Sequence, residues 1–250
     1  LEEQRITLIE GEVARIHREE KRVHLTDGRE LPYDRLVLAN GAHPFVPPIP
    51  GATREGVVTL RTLADARQII ARVERAGARC VIIGGGLLGL EAAGGLLKRG
   101  ANVTVLEGFE RLLPRQLCEP AAELLRTRLE QEGLVIRTGV VVKALPGDEA
   151  VAGVMLESGE EVPADLVIIS TGVRPNSYLA RQAELEVRHG IVVDDELHTS
   201  DPEIFAAGDV AEHDGVLYGL WSAAYAQGQV AGVNAAGGEA RFTGISRTTR

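Results

Sequence analysis

The chain is poor in cysteine and has no long apolar run. Its two cysteines, Cys80 and Cys118, are too far apart for a C-x-x-C pair and have no companions for a zinc site. We expect an inert buried thiol at Cys80, an exposed thiol at Cys118, and a redox centre at neither. Runs such as Leu36–Leu38 and Leu166–Ile169 are far too short to span a bilayer, and the start of the chain lacks a signal-peptide core. These absences predict a cytoplasmic protein without a membrane segment.

Positive charge is scarce as well. The 250 residues carry 27 Lys and Arg against 36 Asp and Glu, which gives a formal charge of −9. This balance argues against a nucleic-acid or anionic-membrane surface, because both reward clustered Lys and Arg. The apolar fraction of 44% is ordinary for a globular protein, and the length suits one large or two modest domains.

One sequence pattern occurs twice. Each copy has a glycine, a short turn ending in glycine, a Glu-x-Pro step, an aspartate and an apolar run that ends in glycine, over 11–41 and again over 139–172. The turn glycine and the last glycine are 13 positions apart in both copies, Gly28 to Gly41 and Gly159 to Gly172. Such self-similarity indicates one structural unit that is used twice.

Only the second copy is preceded by a G-x-G-x-x-G sequence. Its first glycine, Gly84, precedes Gly139 by 55 positions, whereas Gly11 has ten residues before it. If both copies are built alike, on the order of 50 residues of a first nucleotide-binding unit are absent. We therefore expect this chain to be a piece of a longer protein.

Strand and helix signals follow a regular order along the chain. The first third predicts an antiparallel meander with strands near 6–9, 12–17 and 22–26, and then a strand over 35–39 that is buried on both faces. The proline-rich passage 43–50 predicts a crossing between domains. Later segments predict helices near 63–76, 87–99, 120–132 and 219–236, strands near 80–84 and 102–106, and a second meander over 134–169. The middle of the chain is therefore a βαβ unit with a parallel sheet.

The glycine fingerprint carries the clearest chemical signal. It follows an apolar strand and opens an alanine-rich helix, with Leu87 and Leu88 between its last two glycines. In this context Gly84 permits a tight turn, Gly86 lets the backbone approach a pyrophosphate, and Gly89 lets the helix pack on the strand. The pyrophosphate would lie at the helix amino terminus, where N–H groups lack partners.

Three acidic residues are candidates for ligand contacts. Glu107 lies 18 positions after Gly89, where a carboxylate accepts the ribose hydroxyls of NAD and repels the 2′-phosphate of NADP. Glu91 is either a ligand-facing residue or an ordinary acid favoured by the helix dipole. Asp209, after Gly208 at a strand end, is either a cofactor ligand or a plain cap for the next segment.

Four ordered motifs resemble the pyridine nucleotide-disulfide oxidoreductases, the flavoprotein reductases that bind two dinucleotides. The motifs are Tyr33-Asp34 with 39–41, the fingerprint at 84–89, the segment 171–176, and the segment 199–209. The segments 60–66 and 112–117 are similar to the branch with NADH:rubredoxin and ferredoxin reductases and the flavoprotein part of assimilatory nitrite reductases. The resemblance covers nearly the whole chain.

The resemblance implies an α/β fold of two Rossmann-like nucleotide-binding domains, each with a parallel sheet and a β-meander, the NAD domain being inserted into the FAD domain. We expect a partial FAD-binding domain over 1–58 and 177–250, which lacks its first βαβ unit, and an NAD-binding domain over 59–176. A carboxyl-terminal interface domain would barely begin at Phe242, so that the chain is truncated at both ends.

The resemblance also implies where FAD would lie. Ala39 and Gly41 would border FAD, with Asn40 between them in place of the usual threonine. Gly208 and Asp209 would hold the ribityl-pyrophosphate region. Two further departures are His43, where an arginine is frequent, and Leu87, where some members place an aromatic lid.

The remaining roles concern the two reacting rings. Leu220 and Trp221, at a helix amino terminus, would face the pyrimidine edge of the flavin. Glu91 matches a family glutamate near the nicotinamide carboxamide, which makes it the catalytic candidate, and Gly172 would line the nicotinamide pocket.

The resemblance implies an NADH-dependent flavoprotein oxidoreductase with FAD and NAD as cofactors. Its electron acceptor would be a ferredoxin, a rubredoxin or a fused redox domain, and a homodimer is left open. Two alternatives also stay open: a truncated, non-catalytic NAD-binding module, and a reductase of a disulfide, peroxide or dioxygen. Because only the second copy has its phosphate-binding loop, we expect full NAD competence and impaired FAD competence in this chain.

Overall fold

The computed structural model describes residues 6–74 and 77–245, which form two compact units. One unit contains the chain up to His43 and from Pro175 onward, and the other runs from Pro44 to Arg174. The boundaries between these units are at 43/44 and 174/175. The domain boundaries that the sequence suggests, at 58/59 and 176/177, both lie later in the chain than these. The passage 44–58 goes with the second unit because Ile49 and Ala52 pack against its core.

The first unit opens with the predicted meander. Its strands are β1 (Val13–His17), β2 (Arg22–Leu25) and β3 (Glu30–Pro32), followed by β4 (Leu36–Leu38) and β5 (Ala42–Pro44). The strands β1, β2 and β3 pair antiparallel in that order. The predicted strand near 6–9 is wrong, since residues 6–12 form no strand and the side chains of Ile6, Leu8 and Ile9 are exposed.

The second unit contains the predicted βαβ arrangement. Its elements are β6 (Val57–Thr59), α1 (Leu63–Arg72), β7 (Arg79–Ile83), α2 (Leu87–Leu97), β8 (Asn102–Leu106), α3 (Glu119–Gln131), β9 (Val135–Arg137), β10 (Val142–Ala144), β11 (Gly153–Leu156), β12 (Glu161–Pro163), β13 (Leu166–Ile169) and β14 (Val173–Pro175). Five strands form a parallel sheet in the order β6-β13-β7-β8-β9. Parallel strands covered on both faces need continuous apolar runs, and the run of β13 is fully buried.

The meander of the second unit repeats the meander of the first. Strands β10, β11 and β12 pair antiparallel in chain order, as β1, β2 and β3 do. The register shifts at the same place in both, between Val13 and Arg15 and between Val142 and Ala144. The turn glycines Gly28 and Gly159 share a φ of 87°, in the left-handed region that glycine enters without strain. The repeat in the sequence is thus a repeat in structure.

The last part of the chain completes the first unit. Its elements are α4 (Tyr178–Gln182), β15 (Ile191–Val193), β16 (Ile204–Ala206), a 3₁₀ turn (Gly208–Val210), β17 (Ala211–His213) and α5 (Trp221–Ala235). Strand β16 pairs parallel with β4, and β15 pairs parallel with β17. The prediction that β4 is buried on both faces is wrong at Val37, whose side chain is 38% exposed, although Leu38 is buried.

The two cysteines lie as expected, one buried and one exposed. Cys80 is buried, and burial raises the pKa of its thiol to about 11, with a smaller effect from the Asp165 carboxylate, so the thiol stays protonated at neutral pH. Cys118 is exposed where α3 begins. None of the helices in the described residues is long and apolar enough to cross a membrane.

Truncating a side chain in a central strand of the parallel sheet should destabilise the second unit much more than truncating one in an edge strand. Ile82 of β7 is fully buried, whereas Val135 of the edge strand β9 is half exposed. We expect Ile82→Ala to lower the free energy of unfolding by about 2–5 kcal/mol. Val135→Ala should cost less than about 1 kcal/mol. Urea denaturation followed by circular dichroism measures both, and equal losses would contradict the assigned positions.

Candidate functional site

The loop between β7 and α2 can only be built with glycine at two positions. Gly84 has a φ of +112°, and a Cβ atom there would lie 2.3 Å from the carbonyl oxygen of Ser170. A Cβ atom on Gly89 would lie 2.1 Å from the carbonyl oxygen of Gly84. The two glycines therefore let the chain turn tightly at the end of β7 and let α2 pack against that turn.

Gly86 differs from these two because the space around it is open. It is the N-cap of α2, and a Cβ atom on it would meet no atom within 4 Å. No side chain caps the helix, and the side chains of Leu87 and Leu88 are largely exposed. The first-turn N–H groups and the helix dipole thus face a space that an anion can enter. This arrangement fits a pyrophosphate group.

A cavity of about 610 Å³ lies beside this helix terminus, entirely within the second unit. Its walls are mostly apolar and include Pro47, Ile83 and Leu113, and it is also lined by Gly172 and Arg115. The cavity is at the carboxyl ends of β7, β8 and β13, where open α/β sheets bind their ligands. Its size is within the usual range for a small-molecule or cofactor site.

Glu107 follows β8 and forms part of the cavity wall. Its side chain is only 7% exposed. One carboxylate oxygen accepts the Gly85 N–H at 2.6 Å, and the other accepts the Phe109 N–H at 2.8 Å. The carboxylate therefore joins the glycine loop to the next loop, a structural role that sequence reasoning missed. Contact with a ribose stays a prediction.

Glu91 is not brought to this cavity. It is an exposed residue in the first half of α2 and is absent from the residues that line the cavity. Its assignment to the nicotinamide therefore stays a prediction.

Gly172 is in the cavity wall and is tied to a residue that sequence reasoning missed, while its place beside a nicotinamide stays a prediction. Its φ of +107° is in the left-handed region, and a Cβ atom on it would meet nothing within 4 Å. The Phe45 N–H donates to the Gly172 carbonyl at 2.9 Å, and the Thr171 hydroxyl donates to the Phe45 carbonyl at 2.8 Å. The Arg174 guanidinium lies over the Phe45 ring at 4.6 Å. Phe45 thus fixes the backbone of this wall.

In the first unit, β4 and β16 bring two predicted FAD motifs to one sheet edge. The strands are parallel with Leu38 opposite Ala206, so Ala39-Asn40-Gly41 and Gly208-Asp209 both follow their carboxyl ends. Gly208 has a φ of +82°, and its N–H donates to the buried Gln227 side chain at 2.8 Å. A glutamine inside the alanine-rich helix α5 was a signal that sequence reasoning did not use.

Asn40, the departure from the usual threonine, has a defined partner in Asn176. The Asn40 amide donates to the Asn176 carbonyl at 2.7 Å, and the Asn176 amide donates to the Asn40 carbonyl at 2.6 Å. The Asn176 side-chain oxygen lies 2.6 Å from Nδ1 of His43. The backbone N–H of Asn176 donates to the Gly41 carbonyl at 2.9 Å. Both departures in this region therefore belong to one hydrogen-bonded cluster.

The predicted helix terminus at Leu220 and Trp221 is present. Helix α5 begins at Trp221, and its N-cap Leu220 supplies no side-chain cap. The Trp221 side chain is 81% exposed and stacks on Tyr225, with ring centroids 5.4 Å apart. First-turn N–H groups without a side-chain cap can bind a polar or negatively charged ligand group.

The family of the chain follows from a match to a family model. Residues 1–228 match the model described as pyridine nucleotide-disulphide oxidoreductase. This match confirms the family and the fold class that the motifs predicted, and the relatives that follow fit the predicted branch and the cofactors FAD and NAD(P)H.

Two curated relatives are similar over most of this chain. Nitrite reductase [NAD(P)H] from Bacillus subtilis is 39% identical over 92% of the chain and 28% of its own length. Putidaredoxin reductase CamA from Pseudomonas putida is 41% identical over 87% of the chain and 53% of its own length. The chain thus spans about half or less of the length of these relatives.

Two solved structures show the same fold. A ferredoxin reductase from Rhodopseudomonas palustris superposes with a TM-score of 0.92 and 31% identity, over 98% of this chain and 62% of that one. An engineered water-forming NADPH oxidase, a mutant of an enzyme from Lactobacillus brevis, has a TM-score of 0.86 and 25% identity, over 95% and 55% of the two chains.

Filling the open space at Gly86 should impair binding without unfolding the chain. We expect Gly86→Ala to weaken NADH binding at least about tenfold, because the added methyl group enters the space assigned to the pyrophosphate. The matched control is Gly95→Ala on the same helix, where a Cβ atom also meets nothing within 4 Å. This control should bind NADH normally and be more stable by about 0.5–1 kcal/mol. Fluorescence titration with NADH and thermal denaturation measure the two effects, and equal affinities would contradict the assigned site.

Proposed function

Because this chain belongs to the pyridine nucleotide-disulphide oxidoreductase family, we propose that it is the cofactor-binding part of an NADH-dependent flavoprotein oxidoreductase. The protein would take hydride from NADH and pass electrons to an iron–sulfur protein or to a fused redox domain. The observation that carries the proposal is the glycine loop at the open end of α2, beside a cavity large enough for a cofactor.

On the NADH side, the residues of the second unit bind and orient the nucleotide. The first-turn N–H groups after Gly86 bind the pyrophosphate, and the apolar cavity wall excludes water from the nicotinamide end. Glu107 keeps the glycine loop closed through its two backbone N–H contacts. Gly172 leaves room beside the ring because it has no side chain.

On the FAD side, the residues of the first unit fit a polar cofactor. The backbone at 39–41 would border FAD, and Gly208-Asp209 would hold its ribityl-pyrophosphate region, with Gln227 fixing Gly208. Bound FAD supplies the two-electron chemistry, accepting hydride and releasing electrons one at a time. The amino terminus of α5 would stabilise negative charge on the reduced flavin ring through its dipole.

The named relatives support a protein or fused domain as the electron acceptor. One relative is a putidaredoxin reductase, one similar structure is a ferredoxin reductase, and the nitrite reductase is several times longer than the matched region. A ferredoxin-type protein or a fused redox domain is therefore the acceptor that we propose. A homodimer and a cytoplasmic location remain predictions.

A second candidate acceptor is dioxygen. The similarity to a water-forming oxidase favours it, since that protein shares the fold over 95% of this chain. An oxygen electrode discriminates between the candidates: rapid NADH-dependent oxygen consumption without added ferredoxin supports dioxygen, and slow consumption supports the protein acceptor.

The proposal predicts that flavin is reduced when NADH is added. In a full-length protein of this family that contains this chain, anaerobic addition of NADH should bleach the flavin absorbance with a stoichiometry of one NADH per FAD. Oxidised ferredoxin should then restore the absorbance. No bleaching would sink the proposal, whereas stoichiometric FAD in the purified 250-residue chain would rule out the alternative of an NAD-binding module with a collapsed flavin site.

A preference for NADH over NADPH is supported by the charge of Glu107 and also by the spacing of the residues around it. The engineered NADPH oxidase carries five substitutions, one of which replaces an aspartate by alanine. The other four replace a glycine 18 positions before that aspartate and the residues one, two and seven positions after it. Counted from Glu107, these positions are Gly89, Gly108, Phe109 and Pro114. The glycine and the proline are the same in both proteins.

A matched set of substitutions should therefore reverse the cofactor preference. We expect the combined substitutions Glu107→Ala, Gly108→Arg, Phe109→Ser and Pro114→Arg to raise the ratio of NADPH affinity to NADH affinity at least about tenfold. The reason is that a carboxylate that repels the 2′-phosphate of NADPH is replaced by guanidinium groups that attract it. Loss of the Glu107 contacts should cost about 1–3 kcal/mol of stability. The control Glu110→Ala removes one exposed charge from the same loop. An equal shift in this control would show that only net charge matters.

A further inference from the structure

Away from the proposed cofactor sites, two histidines and a glutamate meet at the turn between β1 and β2. His17 ends β1, His24 is in β2, and Glu20 is in the turn between them. One potential ligand atom from each residue lies within 4.8 Å of the other two. The register pairs His17 with Arg22, so His17 and His24 are diagonal neighbours on the same face, with ring centroids 4.3 Å apart.

The two ring nitrogens of His24 have different surroundings. Its Nδ1 lies 3.6 Å from a carboxylate oxygen of Glu30. Its Nε2 is buried and has no hydrogen-bond partner among the residues that the structure describes. A carboxylate on one imidazole nitrogen, with the other nitrogen left for an ion, is the usual arrangement around metal-binding histidines. A buried nitrogen without a partner is otherwise unfavourable and calls for a ligand.

Two of the cations next to this cluster are paired with acids, whereas Arg15, which stands opposite His24, is exposed and has no acid partner among the described residues. The Lys21 ammonium lies 2.6 Å from a carboxylate oxygen of Glu203, and the Arg22 guanidinium lies 3.4 Å from Glu30. Each pair reduces the positive charge that would repel a metal ion from the turn.

The repeated meander shows that the fold does not need these ligands. In the second meander, Met155 stands opposite Ala144, the place in the register where His24 stands opposite Arg15. The same three-stranded structure is therefore built without a histidine at this position. The ligand set of the first meander is an addition to the repeat.

We propose that His17, Glu20 and His24 bind a zinc ion that clamps the turn between β1 and β2. Two imidazoles and one carboxylate are a common zinc ligand set, and a water molecule would take the fourth position. Ligand atoms around tetrahedral zinc lie about 3.4 Å apart, so the separations between the three ligand atoms, all within 4.8 Å, need to close by no more than roughly 1.4 Å. Glu20 is exposed in a turn and His17 is partly exposed, which leaves both side chains room for this movement.

A second group of potential ligands in the same unit is occupied by other contacts. Of Asp194, Glu196 and His198, the glutamate is paired with Arg241 at 3.0 Å, and the aspartate lies 3.4 Å from Nδ1 of His198. This second group serves as an internal comparison, because it has similar residue types but no buried nitrogen without a partner.

Zinc titration of the 250-residue chain tests the proposal. Isothermal titration with zinc chloride should show one ion per chain, and zinc should raise the thermal unfolding midpoint until a chelator is added. His24→Gln and His17→Gln should each weaken binding at least tenfold. Glu30→Gln should weaken it about 10–100-fold although all three ligands remain, because Glu30 positions His24.

A control variant and a spectroscopic probe keep the outcome unambiguous. His189→Gln removes an exposed histidine outside the cluster and should leave zinc binding unchanged. Cobalt serves as a spectroscopic probe, since the wild-type chain with cobalt should develop the visible bands of a tetrahedral site that His24→Gln lacks. The proposal is overturned if wild-type chain binds no zinc at 0.1 mM or so, about a hundredfold above a micromolar Kd. It is equally overturned if His24→Gln and His189→Gln bind zinc alike.

Discussion

The close approach of two backbone segments at the end of β7 is the constraint on which the candidate NADH site depends. The Ser170 carbonyl after β13 and the Gly84 carbonyl after β7 occupy the space that Cβ atoms would need at Gly84 and Gly89. Because no side chain intervenes, α2 begins directly against the sheet and its amino terminus faces the cavity. Any larger residue at either position would push the helix away from the strands and open this arrangement.

Much of the fold could be predicted from the sequence because local rules dictate it. The glycine loop, the βαβ unit with its parallel sheet and the repeated meander follow from glycine positions and from continuous or alternating apolar runs. The prediction assigned 134–169 as a whole to the second meander, whereas β9 and β13 belong to the parallel sheet. The failures concern residues whose state depends on what packs beside them. Apolar character at 6–9 suggested a strand, but a strand needs a partner, and Val37 is exposed although its run is apolar.

The contacts inside the candidate sites were less predictable because they join distant parts of the chain. Asn40 meets Asn176 across 136 positions, and Phe45 meets Thr171 across 126. The sequence indicates that such residues lie in loops near the sites, but their pairing requires the folded backbone. Glu107 was predicted as a ribose ligand from its spacing after Gly89, whereas its two backbone contacts follow from the curvature of loops that pattern reasoning does not describe.

The hydrogen bonds of Phe45 to Gly172 and Thr171 have a consequence for modularity. They join residues close to the two ends of the segment 44–174, so that these ends lie side by side within one compact unit. A segment with adjoining ends can be inserted into a host chain at little cost in loop-closure entropy. The segment 44–174 therefore meets the geometric requirement for insertion at one position of a host chain.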